Sequence, residues 1–449
     1  DRAASPAAAP DAKPPADAVS SHRLALDGAT FDYTATVGLL PLADSSGVVK
    51  AQIGYTSYLR ADAPTQRPIA FIFNGGPGAA SAYLQFGALG PKRVVLNEDG
   101  TAPPPPAQLA ANPTTWLAFT DLVFVDPIGT GFSRPTRVDG KPVPTSEFWS
   151  IEHDIEWNAR FIRDYLTRAQ RWTSPKFLIG ESYGGFRVAR LAEFLPTQFG
   201  IGINGVVMIS PVLEFMTIDG DERYGLWPAV LRLPSYAAAA WAHGRAAEAS
   251  QDPAARDRFL AEVESFALKE YLPSLALGHA LPLEQRQALY ARVAAFTGMP
   301  LTTVVRGEGR ISRETFIKEV LGPEGRVVGR YDASVSLPDP NPASPRFTDT
   351  DPTLGGLSAP LTTAVNAYLR GELGYAADRP YVLLNPQVNG AWDWSGRRGS
   401  GAGAAENLRA AMVASPALKV LIAHGRLDLV TPYFTSAYVA RQMRLAPPL

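Results

Sequence analysis

A chain of 449 residues with 46% hydrophobic and 19% charged side chains can bury a sizeable core, and its length allows two or three domains. The formal net charge is −1 and Lys and Arg form no long run, so a nucleic-acid backbone finds no electrostatic footprint. Cysteine is absent, which excludes disulfides, Fe–S clusters and thiolate zinc sites; no cofactor or metal is expected. No apolar run reaches the roughly 20 residues that span a bilayer.

Residues 1–20, rich in Ala and Pro, read as a flexible lead-in left after processing or at a cut edge. No glycosylation acceptor occurs, because Pro113 disqualifies Asn112. Together these features suit a bacterial protein that is secreted or periplasmic. Residues 31–60 alternate as two strands around the turn cluster Asp44-Ser45-Ser46-Gly47, which reads as a β-hairpin. From Ile69 the pattern changes to short apolar runs at 69–73, 122–125, 177–179, 206–209 and 420–423. Runs of this length, rich in Val, Ile and Phe, predict strands buried on both faces of a mostly parallel sheet.

Between two of these runs, Glu147–Arg171 carries Phe148, Ile151, Ile155, Ile162, Tyr165 and Leu166 near the helical period. Strands alternating with helices indicate an open α/β sheet, formed from 21–211 and 411–449. Residues 212–410 break the rhythm and read as an inserted, mainly helical lid. Within it Asp252-Pro253 marks a helix start, followed by Phe259, Val263, Phe266 and Tyr271. Another helix is expected from Pro282, and Gly, Pro and Ser dominate 337–360. The return of a buried-strand pattern at Lys419–His424 favours insertion over a separate second domain.

The strongest chemical signal is Gly180-Glu181-Ser182-Tyr183-Gly184, a G-x-S-x-G set between a strand and an apolar-periodic helix at Phe186–Phe199. That context is what a nucleophile elbow requires, because a tight strand-to-helix bend lifts a hydroxyl above the sheet. The bland alternative is a structural glycine turn. An acyl-transfer site also needs main-chain N–H donors for developing negative charge. One is expected from Tyr183, and the other from the loop Asn74-Gly75-Gly76-Pro77-Gly78 that follows the run at 69–73.

These motifs, with Leu89-Gly90-Pro91, Asn112-Pro113, Trp116 and Asp126-Pro127-Ile128-Gly129-Thr130-Gly131-Phe132-Ser133, resemble the serine carboxypeptidase family. The resemblance is collinear over 53–211 and again over 419–432. It implies an α/β-hydrolase fold with a helical insertion and removal of single residues from peptide C-termini, favoured at acidic pH. It further implies Ser182 as nucleophile, N–H groups of Gly76 and Tyr183 as oxyanion hole, and Asn74, Gly75 and Glu181 as the clamp for a substrate's free C-terminal carboxylate. Two carboxylates in contact share a proton, so affinity should fall as pH rises. The family's G-x-x-D-x-x-x-P is matched by Gly425, Asp428 and Pro432, which makes Asp428 the triad acid.

A serine nucleophile also needs a base, and in this fold the order is Ser, acid, His. All five histidines (His22, His153, His243, His279, His424) precede Asp428. The base is therefore expected beyond Leu449, in a C-terminal segment or on a second chain. His424 is the internal substitute, although it stands beside the acid; His153 reads as a solvent-facing helix residue. The family pattern is broken at Ala79 and Ala80, which replace its usual Cys and Ser, and by Ile72-Phe73, where a Trp is common. Three other functions fit the motifs: a proline-type aminopeptidase, an acyltransferase or lyase of the same fold, and a non-catalytic binding relative.

Overall fold

The structure, a computed structural model, describes residues 15–26, 28–64, 66–219, 224–344, 347, 351–394 and 401–445, so most of the expected lead-in lies outside it. Packing divides the chain into two compact units. The first holds Asp1–Arg93, Leu109–Lys176 and Thr362–Asp393; the second holds Val94–Gln108, Phe177–Leu361 and Trp394–Leu449.

In the first unit β1 (Ala18–Leu26), β2 (Ala29–Ala43) and β3 (Val49–Arg60) form an antiparallel meander. The hairpin expected between β2 and β3 is present. Asp44 Oδ1 closes its turn by accepting from Ser46 N, Ser46 Oγ and Val48 N. A short turn can only join antiparallel strands, and a parallel pair needs a crossover. Crossovers enter with β4 (Ile69–Phe73) and β5 (Asp121–Asp126), which pair in parallel with every residue buried. Because β3 pairs antiparallel with β5, this unit is mixed rather than mostly parallel as the sequence suggested. Helix α1 (Ile151–Arg168) starts at Ser150, whose side chain accepts from His153 N at 3.1 Å. Its Tyr165 packs edge-on against Tyr55 and Phe71, at 5.4 and 5.7 Å.

Residues 362–393 belong to this unit although the sequence reading placed them in the lid. The reason is main-chain pairing. Gly131 and Val382 exchange both hydrogen bonds, Ala80 N donates to Leu383 O, and Asn385 N donates to Gly78 O. No hydrophobic period announces such isolated bridges.

In the second unit β6 (Lys176–Glu181) and β7 (Gly205–Ile209) run parallel around α2 (Tyr183–Phe199). The helical insertion follows, with α3 (Trp227–Ala242), α4 (Pro253–Phe266) and α5 (Leu283–Thr297). Asp252 caps α4 by accepting from Ala254 N at 2.9 Å, as its Asp-Pro signature predicts. Phe259, Val263 and Phe266 then meet Tyr236, Val293 and Phe296 in a buried cluster. A hairpin of β8 (Arg326–Val328) and β9 (Ser336–Pro338) closes this region. Residues 352–366, which begin inside the stretch rich in Gly, Pro and Ser, are helical, and Asp351 Oδ1 caps their first turn by accepting from Thr353 N and Leu354 N. That is the same Asp-Pro start signal again.

After α6 (Ala405–Ala414), β10 (Lys419–Ala423) pairs in parallel with β7, and α7 (Tyr433–Gln442) ends the described chain. The strand is not buried on both faces as expected. Its residues alternate between exposed and half-buried, and Leu421 is 55% exposed. The cause is position: β7 is its single strand partner among the described residues. Among those residues no helix is long and apolar enough to cross a membrane.

Candidate active site

Ser182 stands at the bend between β6 and α2 with φ 57° and ψ −121°. Residues with a Cβ rarely adopt a positive φ, and holding one there costs about 1–3 kcal/mol. Ser182 N donates to Ile209 O, while Ser182 O accepts from Gly185 N and Val212 N. The flanking glycines are required by contact. A Cβ at Gly180 would run into the carbonyl oxygen of Gly184, and one at Gly185 into the side chain of Pro211. Ser182 remains half-buried. Tyr183 opens α2, where the helix dipole favours negative charge. Its ring is buried, stacked on Phe186 at 5.2 Å and met edge-on by Trp394 at 5.8 Å.

Asp428 lies in the same unit, on the loop between β10 and α7, and is 6% exposed. Its carboxylate accepts from Val430 N (2.8 Å), Thr431 N (3.0 Å) and Thr431 Oγ1 (2.6 Å). Burial pushes its pKa above the ordinary carboxylate range, against hydrogen bonds from Thr431, Val430 and the Ser210 hydroxyl. Ser210 itself has φ 44° and follows β7, with its N–H on Ala423 O at 2.7 Å. Sequence reasoning missed both Ser210 and Thr431. Thr431 bonds Asp428 from three residues along the same loop, outside the motif's marked positions, whereas the role of Ser210 exists only once β7 and β10 are neighbours.

Each histidine has a hydrogen-bond partner other than Ser182. His424 Nε2 meets Ser436 Oγ at 2.8 Å, and burial pulls the imidazole down to about 4. His22 meets Ser20, His153 the carbonyl of Ser146, His243 that of Ala333, and His279 Arg286. His153 is exposed on α1, as read from the sequence.

The glycine loop belongs to the first unit. Gly76 has φ 105°, and a Cβ there would sit 2.6 Å from Gly78 N; Gly75 is buried and Gly76 exposed. Gly76 O accepts from Asn389 Nδ2 at 3.4 Å. Asn74 is 3% exposed, and its Oδ1 accepts from Leu84 N at 2.9 Å, so this side chain also caps a helical turn. The spaced motifs meet in space. Asn112 Nδ2 donates to Gly90 O at 2.8 Å, and Ser133 Oγ donates to Asp126 O at 2.5 Å. Asp126 accepts from Ser81 N at 2.8 Å and Tyr381 OH at 3.2 Å, tying the glycine loop to the 381–389 segment. Burial raises its carboxyl to about 7, with Ser81 and Tyr381 opposing. Glu181 ends β6 and is half-buried.

Comparison with known proteins relates part of the chain to one family and the chain's fold to a solved structure. The sequence profile of the serine carboxypeptidase family matches residues 42–213. Serine carboxypeptidase-like 45 of Arabidopsis thaliana is 29% identical over 178 residues, 36% of this chain and 34% of that protein. Serine carboxypeptidase-like 36 of the same plant is 30% identical over 163 residues, covering 35% and 30%. Serine carboxypeptidase S10 family member 2 of Dictyostelium discoideum is 28% identical over 137 residues, covering 29% and 22%. The chain thus spans about a third or less of the length of these curated relatives, and none of the three supports a bacterial source. Kex1Δp, a prohormone-processing carboxypeptidase from Saccharomyces cerevisiae, aligns with a TM-score of 0.53 at 16% identity, over 93% of this chain and 78% of that one. Residues 42–213 therefore match the serine carboxypeptidase family, on a chain with the α/β-hydrolase fold.

Proposed function

We propose that this protein is a serine-type carboxypeptidase that removes C-terminal residues from peptides through an acyl-enzyme on Ser182. The observation that carries the reading is the half-buried Ser182 at φ 57°, on a helix N-terminus, within the segment that matches the family. Ser182 Oγ attacks the carbonyl carbon of the last peptide bond while a base takes its proton. The N–H groups of Gly76 and Tyr183 stabilise the resulting oxyanion. The C–N bond then breaks, the base returns the proton to the leaving amino acid, and water cleaves the ester. Asp428 orients the base and offsets its charge.

Asn74, Gly75 and Glu181 hold the substrate's C-terminal carboxylate. Glu181 shares a proton with it, which favours acidic pH. The base is a histidine; each of the five in residues 1–449 hydrogen-bonds a group other than Ser182. A secreted setting goes with this activity.

The test is release of a free amino acid from an N-blocked peptide and from its C-terminally amidated twin, together with phosphonate labelling of Ser182. Cleavage of the free acid alone, lost in Ser182→Ala, is expected. Equal cleavage of both, or hydrolysis surviving in Ser182→Ala, rejects the proposal. KM should rise as pH goes from about 4 to 8 and the shared proton is lost; a flat KM over that range removes the Glu181 assignment.

A further inference from the structure

A cavity of about 390 Å³ opens where the C-terminal end of α3, the start of α4 and the acid loop meet. Ligand cavities run from roughly 300 to 1,000 Å³, so this one has room for a small organic molecule. Ser182, Glu181 and Asp428 take no part in its wall, whereas Leu427, the residue before Asp428, does. That part of the wall is anchored to the β8–β9 hairpin: Ala333 N donates to Leu427 O at 3.0 Å, and Leu429 N to Arg330 O at 2.9 Å.

The wall divides by chemistry. Trp241 and Leu260 are buried, and with the half-buried Leu427 they supply apolar surface. Arg256, Arg426 and Asp252 are exposed and make a charged rim. The two guanidiniums share one carboxylate, that of Asp257. Arg426 Nη1 donates to its Oδ1 at 2.6 Å, and Arg256 reaches the same oxygen from Nε and Nη2 at 3.4 Å. Nε and Nη2 of Arg426 and Nη1 of Arg256 have no hydrogen-bond partner among the described residues. The acid on the rim does not take up these donors. Asp252 Oδ1 accepts from Ala254 N at 2.9 Å, and its Oδ2 faces Arg258 at 3.7 Å. Glu264, whose charge also reaches Arg426, is outside the wall and accepts from Tyr433 OH at 2.9 Å. Spare guanidinium forks above an apolar floor match a carboxylate attached to an apolar body.

We propose that this cavity binds a small organic carboxylate with an apolar body, held at the rim by Arg426 and Arg256 and resting on Trp241, Leu260 and Leu427. The site is separate from the elbow at Ser182, and the inference does not depend on the carboxypeptidase reading.

Calorimetric titration of the whole protein with three probes tests it. Phenylacetate carries both features, acetate the charge alone and phenylacetamide the ring alone. Phenylacetate should bind about tenfold tighter than either control, since the charge-assisted bonds and the apolar contact each contribute on that scale. Arg426→Gln should weaken phenylacetate about fivefold, because it removes a charged donor at an exposed rim. Ala242→Phe adds a ring to the cavity wall from an exposed position at the end of α3 and should weaken it at least as much. Should Ala242→Phe fail to fold, Arg426→Gln carries the test, since its exposed ion pair contributes little to stability. No saturable phenylacetate binding up to about 10 mM overturns the assignment. So does equal affinity for phenylacetate and phenylacetamide, or phenylacetate binding that survives either folded variant unchanged.

Discussion

Gly180 and Gly185 have no room for a methyl group, and both gaps exist because Ser182 bends the chain back on itself. Gly180→Ala would press its Cβ onto the Gly184 carbonyl and should cost about 3 kcal/mol, read by urea denaturation. The same substitution at Gly202, where a Cβ meets nothing within 4 Å, should change stability by less than about 1 kcal/mol. Asn74 supplies a second residue-scale test. Asn74→Ala strips the acceptor from Leu84 N in a buried place and should cost about 1–3 kcal/mol. Asn74→Asp keeps an acceptor there and should recover part of it. A fully tolerated Asn74→Ala would mean that this cap contributes nothing to the loop.

At the scale of elements, β10 is the informative strand. It carries the acid loop at its end, yet β7 is its single strand partner among the described residues and the side chain of Leu421 is 55% exposed. An exposed edge with an apolar side chain invites pairing between chains. Leu421→Lys should therefore leave unfolding within about 0.5 kcal/mol of the parent, because the side chain is not packed. Any self-association seen by sedimentation should fall. A large loss of stability would show that Leu421 is covered. The hairpin of β8 and β9 makes the complementary point. Its strands are three residues each, and what fixes it is the pair of main-chain bonds to Leu427 and Leu429.

For the whole molecule, two buried groups make opposite contributions to stability against pH. Asp126 holds its proton to about pH 7 when folded, against an ordinary value of 3.8. Between those values the folded state binds more protons, so its contribution falls as pH rises, with a limiting slope of about 1.4 kcal/mol per pH unit. His424 titrates near 4 when folded, against 6.5. There the unfolded state binds more protons, so its contribution rises with pH across that window. Wild-type stability from pH 4 to 6.5 should consequently be flatter than that of either single variant. Asp126→Asn should gain stability with rising pH, and His424→Gln should lose it. Parallel profiles for all three proteins would refute both assignments.

Much of the architecture was legible from residues 1–449 because local rules fixed it. The Asp44–Gly47 turn imposed its hairpin, Asp252-Pro253 started its helix, and the five apolar runs became strands. Asp351-Pro352 carried the same start signal but was hidden by the Gly- and Pro-rich composition around it. The elbow at Ser182 was readable too, since its glycines answer a steric demand within a few residues. Other features depended on pairs far apart in sequence. Ser210 reaches Asp428 only because β7 and β10 lie side by side, and Val382 bonds Gly131 through a bridge with no period of its own. The burial that raises Asp126 and lowers His424 is likewise a property of the packed chain. Sequence by itself determined the nucleophile's bend and where the strands fall along the chain, since these are decided by neighbours along the backbone. Tertiary structure alone decided which side chains surround that bend and how their protons are held, because desolvation and long-range hydrogen bonds exist only after distant segments meet.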